Sequence, residues 1–219
     1  MSETPAMPGT ERPDVVLLIA SGCAICPVVH KILSQLHADG KINQFEVVNI
    51  SEHPDLAQSY GVRSVPWFRI GALEFQGLHS AAELDYWVGH ALADDGIKQY
   101  ITEQLEAGHL SGILRLIKQH PHWLKIALAI IADLQAPIQA RIGLGAVFEE
   151  LQGSPLLQEQ VPGLSELTQH ADRQVRADAC YYLGLSRSSA AMPALNQCLQ
   201  DTDPEVREIA QEALAGFAD

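Results

Sequence analysis

Val15-Val-Leu-Leu-Ile-Ala-Ser-Gly-Cys-Ala-Ile-Cys-Pro-Val-Val-His-Lys-Ile-Leu-Ser-Gln-Leu36 changes its periodicity halfway along. Val15 to Ala20 is an unbroken apolar, β-prone run, the pattern of a buried strand. From Cys26 to His37 the apolar residues fall at helical spacing, with Asp39-Gly40 as the stop. Pro27 suits a first helical turn, whose N–H groups have no partner within the helix. Between strand and helix lies a sharp turn bearing two thiols, Cys23 and Cys26. A helix N-terminus carries partial positive charge as well as free N–H groups. Both favour thiolate over thiol, so a cysteine held there is nucleophilic near neutral pH.

Working outward, Phe45 to Ile50 reads as a second strand, and Ser51 as the cap of a short helix from about Pro54 to Gly61. Trp67–Ile70 and Leu73–Gln76 form a hairpin across Gly71-Ala72. Ser80-Ala-Ala-Glu83 is a capping box that opens a helix running to about Leu92. The order is β-α-β-α-β-β-α. Residues 1–13 are expected to form a flexible polar tail, 14–95 the first domain, and Asp94-Asp95-Gly96 the linker to a second domain over 96–219.

Beyond Ile97 the strand pattern gives way to amphipathic helices at about 97–106, 109–119, 122–133, 137–151, 160–170, 173–185, 190–200 and 204–217. The last quarter repeats. A shift of 31 residues lays Pro162 on Pro193, Leu164 on Leu195, Asp172 on Asp203, Val175-Arg176 on Val206-Arg207, and Leu183 on Leu214. Such a period means stacked helix pairs, each burying its apolar face on its neighbour. Ala140-Arg141, Leu144 and Phe148 form a weaker echo at another offset.

The 219-residue chain carries a formal charge of −13, with 12 acidic and 5 basic side chains in residues 1–95 and 15 and 9 in 96–219. With no basic cluster in either half, nucleic acid and anionic membrane surfaces are poor partners. The first 14 residues lack the basic and apolar regions of a signal peptide, and Leu124–Leu134 is too short to span a bilayer. A cytoplasmic protein is expected. Four cysteines do not make a disulfide scaffold. The close pair is compatible with redox chemistry, with half of a metal site completed by His30, or with two structural thiols. Cys180 and Cys198 have apolar neighbours and are expected as buried free thiols, a second redox pair being the alternative.

The sequence resembles the thioredoxin family over about residues 15–93, through Cys23-Ala-Ile-Cys26 after the first strand and Tyr60-Gly-Val-Arg-Ser-Val-Pro66 downstream. The resemblance implies a cis Pro66 whose loop lies against the thiols. Val65 and Pro66 would then bind substrate, the backbone of Val65 pairing with an extended client segment. It also implies Cys23 as the attacking thiolate and Cys26 as the resolving thiol, with the Cys23–Cys26 disulfide as redox group and no other cofactor. The chain departs from the family pattern at Leu17 and Val47, where many members keep a buried Asp and a Lys, and in Gly22 before the first cysteine and Pro27 after the second. Pro27 and the short core look closer to glutaredoxin-like domains. Trp67 is expected to pack under the hairpin or to line the groove, and Arg63 to steer an acidic partner, support the thiolate or stay solvated.

Asp172-Arg-Gln-Val-Arg176 and Asp203-Pro-Glu-Val-Arg207 resemble HEAT-like repeats. That resemblance implies that Asp caps a helix, that Arg bonds toward neighbouring repeats, and that the helices form an interaction surface. The expected architecture is a thioredoxin-like α/β domain followed by an all-α helical-repeat solenoid. The expected function is thiol–disulfide exchange on a protein client bearing a disulfide or thiols, with a protein partner held by the repeats. A non-enzymatic scaffold or assembly chaperone with a docking domain is the alternative.

Overall fold

The computed structural model describes residues 11–53, 60–62 and 64–217. The short helix expected from Pro54, and Arg63, lie outside the described residues. The chain divides into two compact units after Ile97.

In the first unit, β1 (Val15–Ile19), α1 (Cys26–Ala38), β2 (Phe45–Asn49), β3 (Trp67–Ile70), β4 (Leu73–Gln76) and α2 (Ala81–His90) follow in order. The sheet runs β2-β1-β3-β4. β1 pairs parallel with β2, Leu17 opposite Val47, and antiparallel with β3, Leu17 opposite Phe68. A central strand is covered on both faces, which is why 15–18 are apolar without alternation: all four are buried. One face packs Val16, Leu18, Val48 and Trp67 under Ile50, Tyr60, Val62 and Val65. Trp67 is thus a core residue, its ring 5.2 Å from that of Tyr60. Phe68 and Phe75 stack at 5.3 Å, with His79 edge-on to both. The hairpin turns at Gly71, where φ of 57° is open to glycine at little cost. The capping box forms: Ser80 Oγ accepts from the Glu83 N–H, and Glu83 Oε2 from the Ser80 N–H at 2.7 Å.

The linker expected at Asp94-Asp95-Gly96 is instead the first turn of α3 (Asp94–Glu106). Two acidic residues in a first turn complement the helix dipole. Gly96 is required by packing: a Cβ placed there would meet the His90 carbonyl oxygen at 2.1 Å. A polar Asp-Asp-Gly string reads as a loop only while that close approach is unknown.

The second unit is helical, with α4 (Leu110–Gln119), α5 (His122–Ile131), α6 (Ile138–Glu150), α7 (Pro155–Gln158), α8 (Val161–Leu167), α9 (Arg173–Leu185), α10 (Met192–Cys198) and α11 (Pro204–Ala215). The one-turn helix α7 was not anticipated; Ser154 caps it at the Leu157 N–H and Pro155 opens it. Trp123, Ile113, Ile117 and Phe148 are fully buried. α9 packs against α8 and α11, and α11 against α10.

The repeat is visible atom by atom. Asp172 caps α9 at the Gln174 and Val175 N–H groups, and Asp203 caps α11 at Glu205. The Arg176 Nη1 donates to the carbonyls of His170 and Ala171, and Arg207 Nη1 to those of Asp201 and Thr202, the same positions one repeat later. Arg176 also crosses to the next repeat through Asp201, and Arg141 to Asp178 at 2.7 Å. The Asp and Arg of the repeat are therefore structural, as the resemblance to HEAT-like repeats implies.

Candidate functional site

Cys23 and Cys26 are joined as a disulfide, Cα atoms 5.5 Å apart, at the start of α1. Gly22 with φ of 84° makes the turn that places Cys23 there. Ile25 occupies the N-cap position and offers no side-chain acceptor. Cys23 Sγ takes that role, accepting from the Cys26 N–H at 3.2 Å. A sulfur in this position receives both a helix N–H and the positive end of the dipole, which stabilise it as a thiolate once the disulfide is opened. Cys26 is only 2% exposed, beside fully buried Val29, whereas Cys23 is half-buried. The two sulfurs are therefore unequal in access. Ile25 and Val28 stand exposed around them.

The Val65–Pro66 peptide is cis. It brings the Val65 carbonyl oxygen to 3.8 Å from Cys23 Sγ. The loop is tied to the hairpin by the Gly77 N–H donating to the Pro66 carbonyl at 2.8 Å and by the Gln76 amide donating to Ser64 Oγ. Cys23, Cys26, Val65 and Pro66 are thus brought together from positions 42 residues apart.

Leu17 is fully buried in the central strand, and Val47 opposite it is exposed. Neither supplies a carboxylate or an ammonium group. His30 does not join the sulfurs: its ring lies 6.0 Å from that of Phe45 and its Nε2 3.5 Å from Ser34 Oγ. Among the described residues no three of His, Cys, Asp and Glu cluster as a metal site. No helix of the described residues is long and apolar enough to cross a membrane.

Cys180 and Cys198 are buried free thiols. They face each other, and the hydrogen bond to Cys198, together with burial, pushes the Cys180 thiol up, holding it protonated. Their apolar flanks foretold burial, while their meeting was contained only in the alternative of a second redox pair.

Residues 14–89 match the family model of the thioredoxin domain, and residues 158–219 that of HEAT repeats. No curated protein matches the chain. With the sheet, the helix-borne cysteine pair and the 31-residue stacking already established, the chain is a thioredoxin-like domain fused to C-terminal HEAT repeats.

Proposed function

We propose that the chain is a thiol–disulfide oxidoreductase using Cys23 and Cys26, with the helical repeats holding the client or a partner protein. The observation that carries this reading is the placement of Cys23 Sγ, half-buried, under a helix N–H and beside the Val65 carbonyl. In the reducing direction the Cys23 thiolate attacks one sulfur of a client disulfide. That bond breaks, a Cys23–client bond forms, and the departing client sulfur takes up a proton. Cys26 then gives its proton to solvent or to a client group, there being no carboxylate at Leu17, and attacks Cys23 Sγ. The second client sulfur leaves as a thiolate and is protonated. The client has gained two electrons and two protons, and the Cys23–Cys26 disulfide is restored. Run backward, the same steps oxidise a client. The backbone of Val65 and the ring of Pro66 would seat an extended client segment against the sulfurs. The site would need no cofactor beyond the disulfide, and the cytoplasm, where glutathione keeps thiols reduced, suits such a pair.

The test is the redox equilibrium of the pair in glutathione buffers, with Cys23→Ser as control. A reversible two-electron couple supports the reading. Its value separates a reductant near roughly −270 mV from an oxidant or isomerase nearer about −180 to −120 mV. Absence of a couple would leave the chain a scaffold with a docking domain.

A further inference from the structure

Between α9 and α11 the repeats leave an open groove of about 290 Å³. Asp178, Tyr181 and Gly184 of α9 face Ile209, Glu212 and Ala213 of α11 across it. Its floor is apolar and made from small residues: a Cβ on Gly184 would meet that of Ala213 at 2.8 Å, so the helices touch there and part above. The volume suits one or two large side chains, at the lower end of ligand-binding clefts. Arg187, with φ of 53°, closes one end, its guanidinium spent on the Gly216 carbonyl.

The apolar surface continues past the groove. Tyr181 is 42% exposed, and its hydroxyl donates to Glu149 Oε1 at 2.9 Å. Seven and eleven residues before Glu149, on the same side of α6, Ile142 and Ile138 are 66% and 61% exposed. Three large apolar side chains thus lie along neighbouring helices with nothing over them among the described residues, a pattern that marks interaction surface. The charge around them decides the occupant. Arg187 bonds a neutral carbonyl and keeps its charge, and Arg141 is paired to Asp178, so Asp178, Glu149 and Glu212 outnumber the two arginines by one. The Glu212 carboxylate has no hydrogen-bond or ion-pair partner among the described residues, and Glu149 adds a second negative charge at the rim.

We propose that this face binds a cationic amphipathic segment of a protein partner, with an apolar side chain seated between Tyr181 and Ile209 and a Lys or Arg paired with Glu212. The claim deepens the binding role proposed above for the repeats and does not depend on thiol exchange.

The test uses the full chain and a short fluorescein-labelled peptide of Lys residues around a Leu-Phe pair. Its counterpart has every Lys replaced by Glu. The Lys peptide binds and the Glu peptide does not. Glu212→Gln, at an exposed position, weakens binding about fivefold, the worth of one partly solvated ion pair. Tyr181→Ser, at an exposed position, removes the ring against which the apolar side chain would sit, without changing net charge, and weakens it about tenfold or more. Equal binding by the wild type and both variants would mean diffuse attraction to an acidic chain and would overturn the proposal. So would binding of the Glu peptide, or self-association that Tyr181→Ser abolishes, which would make a second copy the occupant. The redox equilibrium of Cys23 and Cys26 is measured on the same variants. Its persistence alongside lost peptide binding separates the two claims, and its loss in wild type leaves the groove to be judged on the peptides alone.

Discussion

Arg176 and Asp201, 25 residues apart, are joined by two parallel hydrogen bonds, Nε to Oδ2 at 2.8 Å and Nη2 to Oδ1 at 2.9 Å. Both side chains are nearly out of solvent, 13% and 10% exposed. The same guanidinium serves two carbonyls of the preceding loop, so one residue fastens two repeats. Arg176→Ala strands a buried carboxylate and two carbonyls, and we expect a loss of about 3 kcal/mol from the helical unit. Arg176→Lys should recover less than half, since an ammonium cannot make the fork. Chemical denaturation followed by far-ultraviolet dichroism reads both.

Acid should loosen the same joint. The Arg176 hydrogen bonds, ahead of those from the Asp203 N–H, hold the Asp201 carboxyl below the ordinary carboxylate range. An unfolded Asp takes up its proton near about pH 4 and the folded one only further down. In between, the unfolded chain binds more protons, so stability rises with pH. The contribution is complete above the unfolded value and is lost as pH falls through the folded one. Thermal unfolding from about pH 5 downward should show a steeper decline for wild type than for Asp201→Asn, which starts lower. Parallel curves would remove Asp201 from the acid response.

Gly96→Ala puts a methyl group into the His90 carbonyl and should cost about 2–3 kcal/mol as the helix start is forced aside. Gly89→Ala is the control. It is exposed, has nothing within 4 Å, and lies inside α2, so it should gain up to about 0.5–1 kcal/mol. Melting temperatures of the two variants should move in opposite directions.

For the dithiol, Cys26→Ser should accumulate mixed disulfides with client proteins after alkylation, detected on non-reducing gels and by mass spectrometry. Cys23→Ser should not, because its remaining sulfur, on Cys26, is buried. The reverse pattern would exchange the two roles.

Much of this was legible in the sequence because the signals are local. The hairpin Trp67–Ile70 and Leu73–Gln76, the box at Ser80 and Glu83, and the caps at Asp172 and Asp203 each depend on residues within a few positions. What escaped is set by approach between distant segments. Gly96 looks like a linker until the His90 carbonyl is seen against it. Trp67 could face core or groove from its position alone, and the shelf of Tyr60 and Val62 decides. Tyr181 and Ile209 share a groove because two helices part above Gly184, and a 31-residue period says that helices stack without saying where they gape.

The order of the sheet has a bearing on solubility. Among the described residues β2 and β4 are its outer strands, each with no neighbouring strand along one side. Such rims invite a second molecule to add its own strand. Here each is short and carries a glutamate, Glu46 in β2 and Glu74 in β4. Two copies meeting rim to rim would bring carboxylates alongside one another, on a chain whose charge is already −13. Short outer strands bearing glutamates are a feature that opposes edge-to-edge aggregation.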